Sequence, residues 1–403
     1  MSKVLISFLG TGSFIEGKDR EYRKATYKIG DQLYETPFVS AALSNHLHID
    51  KKIIFGTVKS MWEEYYRYFA GNDPSFDEDL YCELGDFSDS AGSSTSDLAI
   101  INKLQEKLQD VHIIILKYGL NEEELRENIA KVFHIENLLE KGDELYVDIT
   151  HGFRSFPVLA QQVIFYLRQI SSREIKVQSF YYGMLDVMKE LGYAPIVDMK
   201  VMLEMNDWLL GASAFRNSAD GTMIRDLLKE QNSDMAVRVD NFSKSIRINY
   251  AHEIRNQVDQ LSKLNLELID NPQKMILEQV FSDFTSRFKK GMSPSLFQLE
   301  LAKWYYEKGM YSSSYIILSE SIISYLVEKY RGVGKVYEKD TRDEVKTDKK
   351  VLSDNRNLFK LYKTVSKVRH NIAHMLEKRH DAYLNDIQNL QSYISKAQRL
   401  YSS

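Results

Sequence analysis

The sequence is poor in cysteine, with Cys82 as the only one among 403 residues. One thiol cannot form an intramolecular disulfide or a thiolate-rich metal site, and such a composition favours a reducing compartment, which predicts the cytoplasm. Long apolar runs are also missing, so the sequence predicts no membrane-spanning helix. The formal net charge of −4 provides no overall basic field, so any nucleic-acid site must be a local patch.

The remaining composition is that of a folded globular protein. Hydrophobic residues make up 43% and charged residues 27% of the chain, which resembles neither disordered nor fibrous sequences. At 403 residues the chain exceeds the usual size of a single hydrophobic core. The length therefore predicts two or three domains.

The N-terminal part alternates short β-branched runs with helical patterns, which predicts a Rossmann-like α/β domain with a mainly parallel sheet. Gly30-Asp31, between short strands around Tyr27 and Leu33, predicts a hairpin insertion. Helix starts are expected at Thr36-Pro37 and, capped by Asn121, at Glu122. The predicted strands are Val4 to Leu9, Lys52 to Val58, Val111 to Leu116, Leu145 to Ile149, Ile175 to Tyr182 and Pro195 to Asp198.

From about Met199 the apolar spacing becomes helical to the end of the chain, which predicts an all-α part. A turn at Gly291 to Pro294 marks a second boundary, so the expected domains are 1–198, a helical connector at 199–290 and a helical bundle at 291–403. Two polar stretches, Asp73 to Asp97 and Arg331 to Lys350, are expected to be exposed, mobile loops.

The bundle is expected to pack around two apolar stripes. One broad stripe runs from Tyr315 to Val327, and the other lies on the final helix. The residues of these stripes are Tyr315, Ile316, Leu318, Ile322, Ile323, Leu326 and Val327, then Tyr383, Ile387, Leu390 and Ile394.

A histidine-rich segment near the C-terminus is a candidate catalytic site. On a helix, His370 and His374 project together, while the apolar residues Val368, Ile372, Met375 and Leu376 are expected to face the core. Metal-free RNA cleavage needs a base, an acid and a positive charge on the phosphate, which histidine and arginine can supply. Arg369 lies about 140° from His374 on a regular helix, so convergence requires the long arginine arm, an irregular helix or a second subunit.

Two other interpretations of this segment remain open. Histidines at this spacing are also typical of an ordinary polar helix face. A zinc site is disfavoured, since Asn371 stands where a zincin would have glutamate and no third ligand is evident.

Two N-terminal turns are candidate phosphate sites. Gly10-Thr11-Gly12-Ser13-Phe14 follows the first strand, but Ile15 replaces the glycine that a dinucleotide-binding fingerprint needs. Thr150-His151-Gly152-Phe153-Arg154 lies between a strand and a helix, where open α/β folds bind phosphorylated ligands. The second turn could equally be a capped connection with a surface arginine.

Taken together, these segments resemble two families. Arg369-x4-His374, with His370 and Asn371 after the arginine, resembles the R-x4-6-H motif of HEPN ribonucleases. Four N-terminal segments, covering about the first 200 residues, resemble a CARF domain: Gly10-Thr11-Gly12, Glu35-Thr36-Pro37-Phe38, Asp148 to Arg154 and Tyr181-Tyr182-Gly183.

The chain as a whole therefore looks like a CARF-HEPN ribonuclease of type III CRISPR systems. That resemblance implies a homodimer, or a higher oligomer, that binds cyclic oligoadenylate and then cleaves single-stranded RNA without a metal or other cofactor. Tetra-adenylate is the favoured activator and hexa-adenylate the alternative. Thr36, Pro37 and Tyr182 would join the two turns at the ligand, with Arg369, His370, Asn371 and His374 at the catalytic site.

Other functions remain open. Thr150, His151 and Arg154 could position a phosphodiester, so the sensor domain is expected to be capable of slow cleavage of its own cyclic ligand. The chain could instead be a ligand-sensing transcription regulator or interaction module with an inert helical domain. A nucleotide-dependent metabolic enzyme is disfavoured by the broken glycine fingerprint.

Overall fold

The structure, a computed structural model, describes residues 1–12, 22, 24–374 and 382–402. The chain divides into two compact units, Met1–Leu203 and Glu204–Ser403. The predicted division into 1–198, 199–290 and 291–403 stays a prediction.

A mixed sheet forms the centre of the first unit. Its strand order is β3-β2-β8-β7-β6-β1-β4-β5. The pairs β1–β4, β1–β6, β4–β5, β6–β7 and β2–β8 are parallel, whereas β2–β3 and β7–β8 are antiparallel. The strands are β1 (Lys3–Phe8), β2 (Ala25–Ile29), β3 (Gln32–Thr36), β4 (Lys51–Gly56), β5 (Val111–Ile115), β6 (Glu144–Asp148), β7 (Lys176–Gly183) and β8 (Ala194–Asp198).

Both faces of this sheet are buried, as expected when helices connect parallel strands. On β1, Val4 and Ile6 enter one apolar cluster together with Val163 and Ile164, while Leu5 enters another on the opposite face. The helices of this unit are α1 (Val39–Leu47), α2 (Trp62–Ala70), α3 (Glu78–Ser90), α4 (Ala99–Lys107), α5 (Glu122–Phe133), α6 (Phe156–Gln169) and α7 (Met188–Leu191), with short 3-10 helices at His134–Leu138 and Leu185–Val187.

The second unit is helical throughout its described elements. Its core includes Trp208, Phe242, Leu318 and Val365. The helices are α8 (Lys200–Ser218), which begins in the first unit, α9 (Thr222–Leu228), α10 (Ser233–Ile248), α11 (Ala251–Leu261), α12 (Asn271–Thr285), α13 (Pro294–Glu307), α14 (Tyr311–Tyr330), α15 (Lys339–Thr347), α16 (Lys349–Asp354), α17 (Arg356–His374) and α18 (Ala382–Tyr401), with 3-10 helices at Leu266–Leu268 and Val333–Lys335.

The predicted fold class is confirmed: a mainly parallel α/β sheet is followed by helices. Each predicted strand is present within one or two residues of its expected ends, and the hairpin is β2–β3. Asn121 caps α5 as expected, because its side chain accepts a hydrogen bond from the Glu124 backbone N–H at 2.9 Å. None of the described helices is both long and apolar enough to cross a bilayer.

Both predicted loops are wrong. The stretch Asp73 to Asp97 contains α3, because Leu80 and Leu84 are spaced one turn apart and are buried. The stretch Arg331 to Lys350 contains α15, where Val345 is fully buried. A few apolar residues at helical spacing therefore outweigh a strongly polar composition.

Two smaller expectations also fail. Thr36 ends β3 and α1 begins at Val39, so Thr36-Pro37 does not begin the helix. The Thr36 hydroxyl instead accepts from the Phe38 backbone N–H at 3.1 Å, which closes the turn. Tyr383 on α18 is 49% exposed, whereas Leu390 and Ile394 are buried as expected.

Candidate ligand pocket and candidate catalytic helix

The sheet changes direction of winding at β1, which lies between β4 and β6. Ligands of open α/β sheets bind at such a point, outside the carboxyl ends of the strands. The turns that follow β1 and β6 are those at Gly10-Thr11-Gly12 and Thr150 to Arg154. The topology therefore brings the two predicted phosphate turns to one crevice.

The two turns touch through their backbones. A Cβ on Gly10 would lie 3.2 Å from the backbone nitrogen of Gly152. Gly152 has a φ of +93°, and a Cβ there would lie 3.1 Å from the Cβ of Phe8. The positive φ of Gly152 favours glycine, and a side chain at Gly10 would crowd the backbone of the turn after β6.

Hydrogen bonds anchor the turn after β6. The buried Asp148 carboxylate accepts from the Ser7 hydroxyl at 2.6 Å and from the Thr150 backbone N–H at 2.9 Å. The Thr150 hydroxyl accepts from the Gly183 backbone N–H at 2.8 Å, which ties this turn to the end of β7. Asp148 and Thr150 thus hold the turn in place, and the Thr150 hydroxyl keeps its own proton to donate.

His151 carries an unsatisfied polar atom in this turn. Its Nε2 atom is buried and has no hydrogen-bond partner among the described residues. Burial lowers the pKa of His151, and the nearby Asp148 carboxylate opposes this shift. The imidazole is therefore neutral near pH 7, and a bound ligand could satisfy its free nitrogen.

Tyr22 belongs to the same crevice, although no sequence motif pointed to this residue. Its hydroxyl accepts from the Gly10 backbone N–H at 2.7 Å, and its ring lies edge-on to His151 with centroids 5.5 Å apart. Burial raises the pKa of Tyr22 well above its usual value, so the phenol stays protonated. Tyr22 also contacts Phe38, at a centroid distance of 4.7 Å.

The other predicted ligand residues differ in accessibility. Arg154 is exposed and forms no ion pair within the described part of the chain, which leaves its guanidinium available to a phosphate. Thr36 and Pro37 are buried, and Tyr182 on β7 is half-buried. Ser13 and Phe14 lie outside the described residues.

A cavity of about 170 Å³ lies at the carboxyl end of β5, where Leu116, Lys117 and Tyr118 form part of its wall. Tyr118 lines this cavity and packs edge-on against Phe153, with ring centroids 5.6 Å apart. The Tyr118 hydroxyl is buried without a hydrogen-bond partner among the described residues. Lys131, also in the wall, donates to the Ile115 carbonyl at 2.8 Å, and burial lowers its pKa.

In the second unit, α17 holds the predicted catalytic residues. Leu358, Leu361, Val365 and Val368 bury one face of this helix. Arg369, His370 and His374 are exposed, and Asn371 is half-buried. The rings of His370 and His374 lie side by side, with centroids 4.4 Å apart and an interplanar angle of 50°.

Part of the expected core face of α17 is wrong. Ile372 is 43% exposed, although the helical spacing placed it with Val368 toward the core. Met375 and Leu376 lie outside the described residues. An irregular helix was one way in which Arg369 and His374 could converge, but α17 is a continuous α-helix over both residues. No three metal-ligating side chains cluster within the residues described.

Comparison with known proteins identifies the first unit. Residues 4–186 match the family described as "CRISPR system endoribonuclease Csx1, CARF domain". The N-terminal unit is a CARF domain. The crevice between its two turns thus belongs to a CARF domain. In the second unit, residues 204–296 match the family described as "CRISPR-associated protein MJ1674, second domain".

Two individual proteins are similar to this chain. The CRISPR-associated protein MJ1674 of Methanocaldococcus jannaschii is 34% identical over 349 residues, which cover 82% of this chain and 55% of that protein. The chain therefore spans about half the length of this curated relative. The structure of Enterococcus italicus Csm6 bound to cyclic hexa-2′-fluoro-hexa-dAMP aligns with a TM-score of 0.38 and 11% identity, covering 99% of this chain and 93% of that one.

Proposed function

We propose that this CARF protein is an endoribonuclease that cyclic oligoadenylate activates and that cleaves single-stranded RNA in type III CRISPR antiviral defence. The observation that carries the proposal is the pair of adjacent, exposed imidazoles of His370 and His374 beside Arg369. The CARF domain at the other end of the chain would act as the sensor.

The chemistry needs no metal. A neutral His374 imidazole takes the proton of a ribose 2′-hydroxyl, whose oxygen attacks the adjacent phosphorus, and the 5′-oxygen leaves with a proton from an imidazolium. The bond from phosphorus to the 5′-oxygen breaks as the bond to the 2′-oxygen forms, which gives a cyclic phosphate end. Arg369 would bind the phosphate oxygens, while His370 and Asn371 would support the reacting groups.

A homodimer would complete this site. Arg369 lies about 140° around the helix from His374, so a second copy would supply the missing partner most simply. The exposed side of α6 offers an apolar surface for self-association in the sensor, since Val158 is 59% and Phe165 is 41% exposed. These residues are seven apart and share one helix face.

The activator would bind at the CARF crevice. Arg154 would hold a phosphate, and the free Nε2 atom of His151 would accept a hydrogen bond from the ligand. A ring with an even number of adenylates has a two-fold axis and so fits a symmetric dimer. Tetra-adenylate is the first candidate and hexa-adenylate the second.

The test is RNA cleavage in EDTA, with and without each cyclic oligoadenylate. We expect activated cleavage by the wild type and a loss of about 10²- to 10⁴-fold in His374→Ala, the usual contribution of a general acid or base. His134→Ala, which removes an exposed histidine from the first unit, is the matched control and should cleave normally. An inactive wild type, or an active His374→Ala variant, would overturn the proposal. Duplex DNA binding without RNA cleavage would instead support a regulator with an inert helical domain.

A second activity concerns the sensor itself. We propose that the neutral, half-buried imidazole of His151 acts as the base for slow ring cleavage, with Thr150 and Arg154 positioning the phosphodiester. Labelled cyclic tetra-adenylate should then be converted slowly to linear products by wild type and not by His151→Asn. Intact ring after prolonged incubation with the wild type contradicts this activity.

A further inference from the structure

One exposed side of α17 carries a continuous line of basic side chains. Arg356, Lys360, Lys363 and Lys367, here called the basic row, are all exposed. His370 and His374 continue the same line toward the C-terminal end of the helix. The basic row therefore leads directly to the two histidines.

Helical geometry places these six side chains on one face. Successive members are separated by four, three, four, three and four residues. At about 100° per residue, all six fall within an arc of about 80°. With a rise of about 1.5 Å per residue, the line is about 27 Å long.

The charge of the basic row is not compensated. The sequence of α17 contains no aspartate or glutamate, and none of the four side chains in the basic row forms an ion pair within the described part of the chain. Several basic side chains elsewhere in this unit are paired: Arg225 contacts Asp240 at 3.2 Å, and Arg331 contacts Asp348 at 2.6 Å. The basic row thus concentrates positive charge in a chain whose formal net charge is −4.

A line of unpaired positive charge suits a flexible polyanion with one backbone. We infer that the basic row binds the phosphate backbone of single-stranded RNA and directs the strand into the site at His370 and His374. The row is one helix wide, which matches a single strand better than the two phosphate backbones of a duplex. This inference rests on the proposed function, because it names the binding surface for that substrate.

The experiment measures binding rather than cleavage. All proteins carry His374→Ala to keep the RNA intact, and the probe is a fluorescein-labelled oligouridylate titrated at several salt concentrations, with and without cyclic tetra-adenylate. One variant adds Lys360→Ala, Lys363→Ala and Lys367→Ala. The control adds Lys229→Ala, Lys289→Ala and Lys290→Ala, which remove three exposed lysines from other parts of the same unit.

For a single strand, each phosphate contact adds about 0.7 to the slope with which log K falls as log salt concentration rises. Loss of three contacts should therefore reduce the slope of the triple variant by about 2. At 0.1 M salt its affinity for the oligouridylate should be about 100-fold weaker. The control should bind as its parent does. Equal binding by the two triple variants would overturn the inference, as would tighter binding of duplex DNA than of the oligouridylate, or no RNA binding by the parent. RNA binding through the row by a wild type that never cleaves would sink the proposed nuclease and leave the inference standing.

Discussion

Two glycines determine how closely the turns of the CARF crevice approach each other. A Cβ on Gly10 would lie 3.2 Å from the backbone nitrogen of Gly152, and Gly152 has a positive φ that disfavours other residues. His151, the neighbour of Gly152, has a buried Nε2 atom that lacks a partner among the described residues. A polar atom in that condition costs folding free energy, which a ligand that bonds to it would recover.

His151 should make stability depend on pH. Because burial lowers its pKa in the folded protein, the unfolded chain, with a histidine pKa near 6.5, takes up the proton first as the pH falls. Stability should be fully present above about pH 6.5 and should decline below it, by at most about 1.4 kcal/mol per pH unit, until the lowered pKa is reached. Thermal unfolding of wild type and His151→Asn at several pH values measures this decline, which the variant should reduce.

The control for this measurement is His112→Asn, because His112 is an exposed histidine on β5. That variant should keep the wild-type decline. An unchanged decline in His151→Asn would show that the buried imidazole does not control it.

Some residues of the crevice could be predicted from the sequence, and others could not. Thr150 and His151 stand out because they follow a clear strand and precede a helix. Tyr22 follows no strand or helix pattern, and its contact with Gly10 depends on chain folding that local periodicity does not encode. Thr36 followed by proline is typical of a helix start, yet α1 begins only at Val39. The Thr36 hydroxyl instead accepts a hydrogen bond from the Phe38 backbone N–H in the turn before that helix.

At the scale of elements, the helix α17 has one buried apolar face and one exposed face that carries His370 and His374. Leu361 is 2% exposed and Ile372 is 43% exposed, although both are large and apolar. Leu361→Ala should lower the free energy of unfolding by about 2–5 kcal/mol, because it leaves a cavity in the core. Ile372→Ala should change it by no more than about 0.5 kcal/mol, as for other surface positions. Denaturant unfolding of both variants measures the difference, and equal losses would contradict the observed burial.

The strands were predictable because β-branched runs buried on both faces have a strong signature. Ile53 and Ile54 on β4, for example, are both 1% exposed and point to opposite faces. Helix α3 was hidden, since its buried positions are only Leu80, Leu84 and Ser88 among many acidic residues. The four-residue spacing of those three positions indicates a helix. The acidic, serine-rich composition of the stretch favoured a loop instead, so the helix was missed.

At the scale of the whole molecule, binding of the activator should raise thermal stability. A ligand present at 100 times its dissociation constant adds about 2.7 kcal/mol to the folded state. The melting temperature should therefore rise with cyclic tetra-adenylate or hexa-adenylate, and less with a linear oligoadenylate. Arg154→Ala should reduce the rise, because it removes an exposed guanidinium from the crevice without disturbing the core.

Differential scanning fluorimetry across ring sizes measures this effect, and Arg126→Ala is the control. Arg126 is exposed on α5, and among the described residues its ion-pair partner is Glu122 on the same helix. An equal rise in Arg154→Ala and wild type would remove Arg154 from the ligand site.

His370 and His374 belong to consecutive turns of one continuous helix. The distance between their backbones is thus a property of the helical pitch, not of any loop or of a neighbouring element. Insertions and deletions in the surrounding connections would leave this backbone spacing untouched, so the two rings can separate only by rotation of their side chains or by unwinding of the helix.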